Sequence, residues 1–344
     1  MRALCALAVA PLPGACSCVG GFLQEQSQRP LFKRGYVAEM AVEGTPVALA
    51  ADGLRVRTDL RHRPGGLARD DSAHRLDVYA HGGGLNTGAK DDETQVNRNF
   101  AIALARLGFV VLNINHRLAD EARQPAQAQD MAAAVHWGIE HADRLHADAS
   151  RIVLAGFSSG GYLAALMAAD PAHLRAEQVE PSRLSAVLAV SGFFDLDHLA
   201  RAFLVHRFIV EPAFGPRGPA WTAASPSAQA GPHWPPTLLV TAEEDRSAAP
   251  ESDELCSRLG ARGVHCARLV VPSTRHATAI ARLGDGRAIP EFEAIAAFLQ
   301  EAVRTARPAR TDRSEAGGRV PPTSTARHSR DVDDRGPGAS LARH

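Results

Sequence analysis

Two short stretches place glycines where a core would not want them. Residues 81–90 read HGGGLNTGAK and residues 156–165 read GFSSGGYLAA. Glycine inside an element costs about 0.5–1 kcal/mol relative to alanine, so such runs persist where backbone must turn sharply or approach something closely. In the second stretch, Gly156-Phe157-Ser158-Ser159-Gly160 is a G-x-S-x-G pattern lying between an apolar run, RIVLAG, and a segment of helical spacing, SGGYLAALMAAD. A serine on a tight strand-to-helix turn exposes its hydroxyl, and the following helix aims N–H groups and its positive dipole end at the same place. That setting suits a nucleophile, with Ser158 at the centre and Ser159 as a rival hydroxyl off the central position. Without the setting, a glycine-softened turn is the plainer reading.

A neutral serine is a weak nucleophile and needs a base. In a strand–turn–helix context of this kind an acid and then a histidine follow, on loops after later strands. Asp245 follows TLLVTA within TAEEDRS, and His276 follows ARLVVP within PSTRHAT. Glu243 and Glu244 adjoin Asp245, and Asp195 lies after the preceding strand as a further candidate acid. Attack on a carbonyl creates an oxyanion that needs preorganised donors. The backbone N–H groups of Gly83 and Gly84, with that of Ser159, are the candidates. His81 is expected to hold this loop by hydrogen bonds and not to transfer protons.

The elements that must position these residues can be read from periodicity. RLDVYA (75–80), FVVLNIN (109–115), RIVLAG (151–156), AVLAVSG (186–192), TLLVTA (237–242) and ARLVVP (267–272) have the length and content of buried strands. Residues 97–108, 128–142, 159–170, 251–263 and 290–303 repeat apolar residues at helical spacing. Strand–helix alternation predicts an α/β fold, a mostly parallel, doubly wound sheet with helices on both faces. Ligands in such sheets sit beyond the carboxyl ends of the strands, where both glycine-rich stretches fall. Residues 47–64 are expected to add antiparallel edge strands. Residues 192–235 hold Phe193, Phe194, Phe203, Phe208, Phe214, Trp221 and Trp234, an enrichment that suggests a small lid or acyl-pocket wall, with core packing of a helix pair as the alternative.

Composition bounds the rest. The chain has 344 residues, 45% of them hydrophobic, and a formal net charge of zero, so no basic face points to nucleic acid. The folded domain is expected over 35–303, with an N-terminal extension at 1–34 that resembles a poor signal peptide and a disordered tail at 304–344 poor in large apolar residues. No stretch is long enough to span a membrane. A cytoplasmic location is expected, with export as the alternative. Cys5, Cys16, Cys18, Cys256 and Cys266 are odd in number and match no zinc spacing, so no metal or cofactor is expected and a reducing compartment suits them. Oligomeric state is not legible.

Taken together, these residues resemble the α/β-hydrolase fold and its HGGG-bearing esterase/lipase branch, in particular bacterial feruloyl/acetyl-esterase-like and kynurenine-formamidase-like proteins. HGGGLNTGAKDDE and NINHRLADEARQPAQAQDMAAAVHW follow the order of that branch, as do VSGFFDLDHL, FGPRGPAW, the ASP at 224–226 and PPTLLVTAEED. The resemblance covers about 75–300. It implies a Ser158–Asp245–His276 triad, Gly83, Gly84 and Ser159 as oxyanion donors, and a small carboxylic ester as substrate. The alternatives are an N-formyl amide, as in kynurenine formamidase, or a weakened hydrolase fold used for binding. Three positions depart from the branch pattern: His116 stands where tyrosine is usual, Leu85 where a large aromatic is usual, and Ala277 where phenylalanine is usual. The branch also places a second strand between L-D-V-Y and HGGG, whereas LDVYAHGGG runs straight through. The expectation is that two strands have merged and that RLDVYA lies inside the sheet beside the strand leading to Ser158.

Overall fold

A computed structural model of the chain describes residues 74–306. The expected N-terminal extension, the edge strands at 47–64, nearly all of the C-terminal tail, and Cys5, Cys16 and Cys18 lie outside the described residues. Within them, six parallel strands form one sheet in the order β2-β1-β3-β4-β5-β6. The strands are β1 (His74–Ala80), β2 (Phe109–Ile114), β3 (Ala147–Phe157), β4 (Leu184–Val190), β5 (Thr237–Ala242) and β6 (Cys266–Val271). The longer helices are α1 (Val96–Arg106), α2 (Ala126–Glu140), α3 (Ser159–Ala169), α4 (Ala248–Gly260), α5 (His276–Leu283) and α6 (Pro290–Thr305).

Alternation along the strands divides the core into two layers. Leu76, Val78, Ile152, Leu154, Val187 and Leu239 face α2, α3 and α4. Tyr79, Val153, Ala155, Leu188 and Val240 face α1, α5 and α6. Each fully buried aliphatic side chain adds about 1.5–3 kcal/mol of transfer free energy, and both layers together fix the order of the strands. The central β4 and β5 are buried along their whole length, but β2 and β6 are only partly so. Their apolar runs look the same in sequence; an outer position in the described sheet accounts for the difference.

The short segment before HGGG resolves as the merged arrangement. β1 pairs with β2 on one side and with β3 on the other, and Ala80 lies opposite Gly156. The glycine-rich turn after β1 and the serine turn after β3 therefore leave adjacent strands at the same level.

The aromatic segment between β4 and β5 folds into short helical turns. Phe194, Trp221 and Trp234 are buried in the core layer of α3, whereas Phe203 is exposed. Part of the aromatic enrichment is thus core packing. The segment is tied down at the glycine-rich turn by Asn86 Nδ2 to Ile209 O (3.3 Å), and at residues 123–124 by Arg123 Nε to Pro212 O and Gln124 N–H to Ala213 O. Cys256 of α4 and Cys266 of β6 form a disulfide, a pairing that the cysteine count did not signal.

Candidate active site

Ser158 sits between β3 and α3 with φ 52° and ψ −115°, a left-handed conformation that costs a non-glycine residue of order 1–3 kcal/mol. Two features hold it there. Its N–H donates to Val190 O of β4 at 2.7 Å, and its carbonyl accepts the first turn of α3 from Tyr162 N–H at 3.0 Å. The turn also requires glycine at 160, because a Cβ there would collide with Ala80 O of the neighbouring strand.

Three side chains from three distant segments meet at this turn. His276 Nε2 lies 2.9 Å from Ser158 Oγ, and His276 Nδ1 lies 2.5 Å from Asp245 Oδ2. His276 opens α5, just past β6, and Asp245 stands in the turn after β5. Burial opposes the charge of Asp245. The neighbouring His276, together with hydrogen bonds from His276, Ser247 and Ala248, outweighs it and holds the carboxyl below its usual range. An ionised carboxylate only accepts, so the imidazole proton belongs on Nδ1 and leaves Nε2 free to accept from the serine hydroxyl. Phe157 packs its ring 5.3 Å from the imidazole. Ser158 and Asp245 are buried, and the His276 side chain is 13% exposed.

The other candidate groups lie elsewhere. Glu243 accepts from Ser273 N–H, Glu244 faces Arg275 at 3.7 Å, and both are exposed. Asp195 caps a short helix, accepting from the N–H groups of Asp197 and His198. Ser159 is fully buried, and its Oγ finds no hydrogen-bond partner.

The glycine-rich turn adjoins the serine turn. Gly83 and Gly84 have φ of 123° and 63°, values open to glycine at no steric cost. Gly83 O accepts from the N–H groups of Asn86 and Thr87, both at 3.1 Å, and Gly84 O accepts from Asn86 Nδ2 at 2.7 Å. His81 is buried, its Nδ1 bonded to Gly82 O at 2.7 Å and its ring stacked on His116 at 4.3 Å. Burial, and then the nearby His116, push His81 down to about 3. It is therefore neutral at ordinary pH and its Nδ1–H donates to Gly82 O, the holding role read from sequence. His116 is likewise lowered by burial.

Ser247 and Asn86 were not singled out in the sequence. Ser247 donates its hydroxyl to Asp245 Oδ1 at 2.7 Å, and the D-x-S spacing of an Asx-type turn is the signal that could have found it. Asn86 lies within the quoted glycine stretch, but nothing local distinguishes its turn-closing amide from a solvated one. Among the described residues no group of three or more His, Cys, Asp or Glu side chains could hold a metal ion, and no helix is long and apolar enough to cross a membrane.

Comparison with known proteins agrees with this architecture. Carboxylesterase NlhH of Mycobacterium tuberculosis is 41% identical over 91 residues, 26% of this chain and 28% of that protein. Esterase LipC of the same organism is 29% identical over 214 residues, 59% of this chain and 53% of that protein. The chain thus spans little more than a quarter to about half of the length of these relatives. Among solved structures, a bacterial heroin esterase superposes with a TM-score of 0.61 at 26% identity, covering 82% of this chain and 93% of that one. An esterase from Pyrobaculum calidifontis gives 0.55 at 25% identity, covering 69% and 79%. The model of the BD-FAE family matches residues 68–259, more than half of the chain and a span that includes both glycine-rich turns, Ser158 and Asp245. The chain belongs to the BD-FAE family and has the α/β-hydrolase fold.

Proposed function

We propose that the protein is a serine carboxylesterase acting on small carboxylic esters through an acyl-enzyme. The unbroken chain of hydrogen bonds from Ser158 Oγ through His276 to Asp245 carries this reading. His276 Nε2 takes the hydroxyl proton as Ser158 Oγ attacks the ester carbonyl, and the imidazolium formed is stabilised by the Asp245 carboxylate. The carbonyl oxygen, now negative, is received by the backbone N–H groups of Gly83, Gly84 and Ser159, the donors expected from the sequence. The C–O bond to the alcohol breaks, His276 returns the proton to the departing oxygen, and water repeats the sequence to release the acid and free the serine. The two relatives and two structural neighbours described above, each named an esterase, support the same class.

The test is labelling with a fluorophosphonate, followed by a panel of p-nitrophenyl esters measured beside N-formylkynurenine. Stoichiometric labelling of Ser158 and turnover of short-chain esters are expected. Faster turnover of the N-formyl amide would move the activity to an amidase, and no labelling would leave a fold used for binding.

A further inference from the structure

Glu251 is buried on the first turn of α4, six positions past Asp245. Its Oε2 accepts two backbone hydrogen bonds, from Phe194 N–H at 2.5 Å and Asp195 N–H at 2.9 Å. Those residues belong to the loop after β4, which lies directly against the serine turn. A Cβ on Gly192 would meet the Phe194 ring and Gly161 of α3, and Phe193 stacks on Tyr162 of α3 at 4.6 Å. At the same end of α4, Asp245 Oδ1 accepts from Ser247 Oγ and from the N–H groups of Ser247 and Ala248. One helix start thus supports the triad acid and grips the loop behind the nucleophile.

We propose that Glu251 is a positioning residue for the triad, its carboxylate clamping the loop after β4 to the helix start whose first N–H groups hydrogen-bond Asp245. The proposal rests on the catalytic reading above. The charges acting on Glu251 from the elements around it are the carboxyls of Asp195 and Asp245, both negative. Burial first, with these two adding, pushes Glu251 up to about 7 against the opposing hydrogen bonds from Phe194 and Asp195. The clamp therefore changes charge in the neutral range. A carboxylate holds N–H donors about twice as strongly as a neutral acceptor, so the grip tightens as pH rises, although the buried charge lowers overall stability.

The experiment is Glu251→Gln, which retains an accepting oxygen and removes the ionisation. Wild type should show two steps in the rise of kcat/KM with pH, one from the imidazole and one near 7. Glu251→Gln should lack the step near 7, and at pH 8 its kcat should be about fivefold lower, with KM nearly unchanged, as one charge-assisted clamp becomes neutral. An active wild type whose profile superimposes on that of the variant overturns the proposal. A second readout needs no turnover. Because the folded carboxyl binds its proton more tightly than the unfolded one, the stability it contributes is full below the ordinary glutamate range and is lost as pH rises through about 7. The melting temperature of wild type minus that of the variant should therefore fall between pH 5 and 8, and a flat difference also overturns the proposal. A wild type inert toward every ester overturns the esterase reading instead, and is told apart because the melting-temperature difference still changes.

Discussion

At the scale of single residues, the proposed nucleophile depends on its hydrogen bond to His276, which is itself held by Asp245. Ser158→Ala keeps the turn, since Val190 O and Tyr162 N–H bind only its backbone. It should lower ester hydrolysis by several orders of magnitude without changing the fold, leaving binding and oxyanion contributions. Fluorophosphonate labelling that persisted in this variant would move the nucleophile elsewhere. Asp245→Asn should lower kcat about 10³–10⁴-fold, because an amide beside Nδ1 no longer fixes the tautomer. Ser247→Ala removes one hydrogen bond to the acid and should cost about tenfold, the weight of one bond to a charged group. Glu244→Gln should be silent, because that side chain faces Arg275 at the surface; kcat for the four variants on one ester checks the ranking. The proposed triad was legible because each member lies in the short loop beyond an apolar strand, Ser158 directly after β3, Asp245 three residues past the end of β5 and His276 five past the end of β6. Glu251 was not, because a glutamate in an amphipathic segment reads as solvated until the loop after β4 is docked on it.

At the scale of elements, β1 shows what merging two strands entails. In RLDVYA, Leu76 and Val78 point to one face, and Asp77 and Tyr79 to the other. That is the alternation of a strand with one wet side. Between β2 and β3 there is no wet side. Tyr79 recovers a partner in Asn97, its hydroxyl 2.8 Å from Oδ1. Asp77 is fully buried between Val111 and Val153, and neither carboxyl oxygen has a hydrogen-bond partner. Burial raises this carboxyl well above its usual range. Asp77→Val removes an unsatisfied buried group and supplies a good strand former, so it should stabilise the fold by about 1–3 kcal/mol. The gain depends on pH with a definite sign. The folded Asp77 holds its proton more tightly than the unfolded one, so wild type loses stability as pH rises above the ordinary aspartate range, and the variant does not. The advantage of the variant should therefore be larger at pH 8 than at pH 4; denaturant midpoints at the two pH values decide it, and an advantage that shrinks with pH contradicts the assignment. The strands were legible from apolar runs, including TLLVTA with its exact ends. The placement of RLDVYA rested on its length and apolar content, which do not show that Asp77 would be buried without a partner, and the short turns at 196–223 gave no periodic signal because none is long enough to repeat one.

At the scale of the whole molecule, the sheet separates stability from chemistry along its strand axis. Every group of the candidate site lies past the carboxyl ends of β1, β3, β5 and β6. The Cys256–Cys266 disulfide lies toward the other end of this axis, since Cys266 is the first residue of β6 and Val271 the last. At about 3.3 Å per residue, that places the bridge about 16 Å along the strand from the turn that leads to His276. The bridge joins α4 to the outermost strand of the described sheet, and its sequence separation is 10. Its stabilisation in the chain-entropy account comes from restricting the unfolded chain, and for a loop of this size amounts to about 2.7 kcal/mol. Nothing in that account alters the folded site. Replacing both cysteines by alanine should therefore lower the melting temperature by several degrees while kcat and KM at 25 °C stay at the wild-type values. Reduction of wild type by a phosphine should reproduce the melting shift, and should have no effect on the double variant. If removal of the bridge instead lowered kcat, α4 would be held in place by the disulfide as well as by its packing, and the turn bearing Asp245 would be coupled to the far end of the sheet.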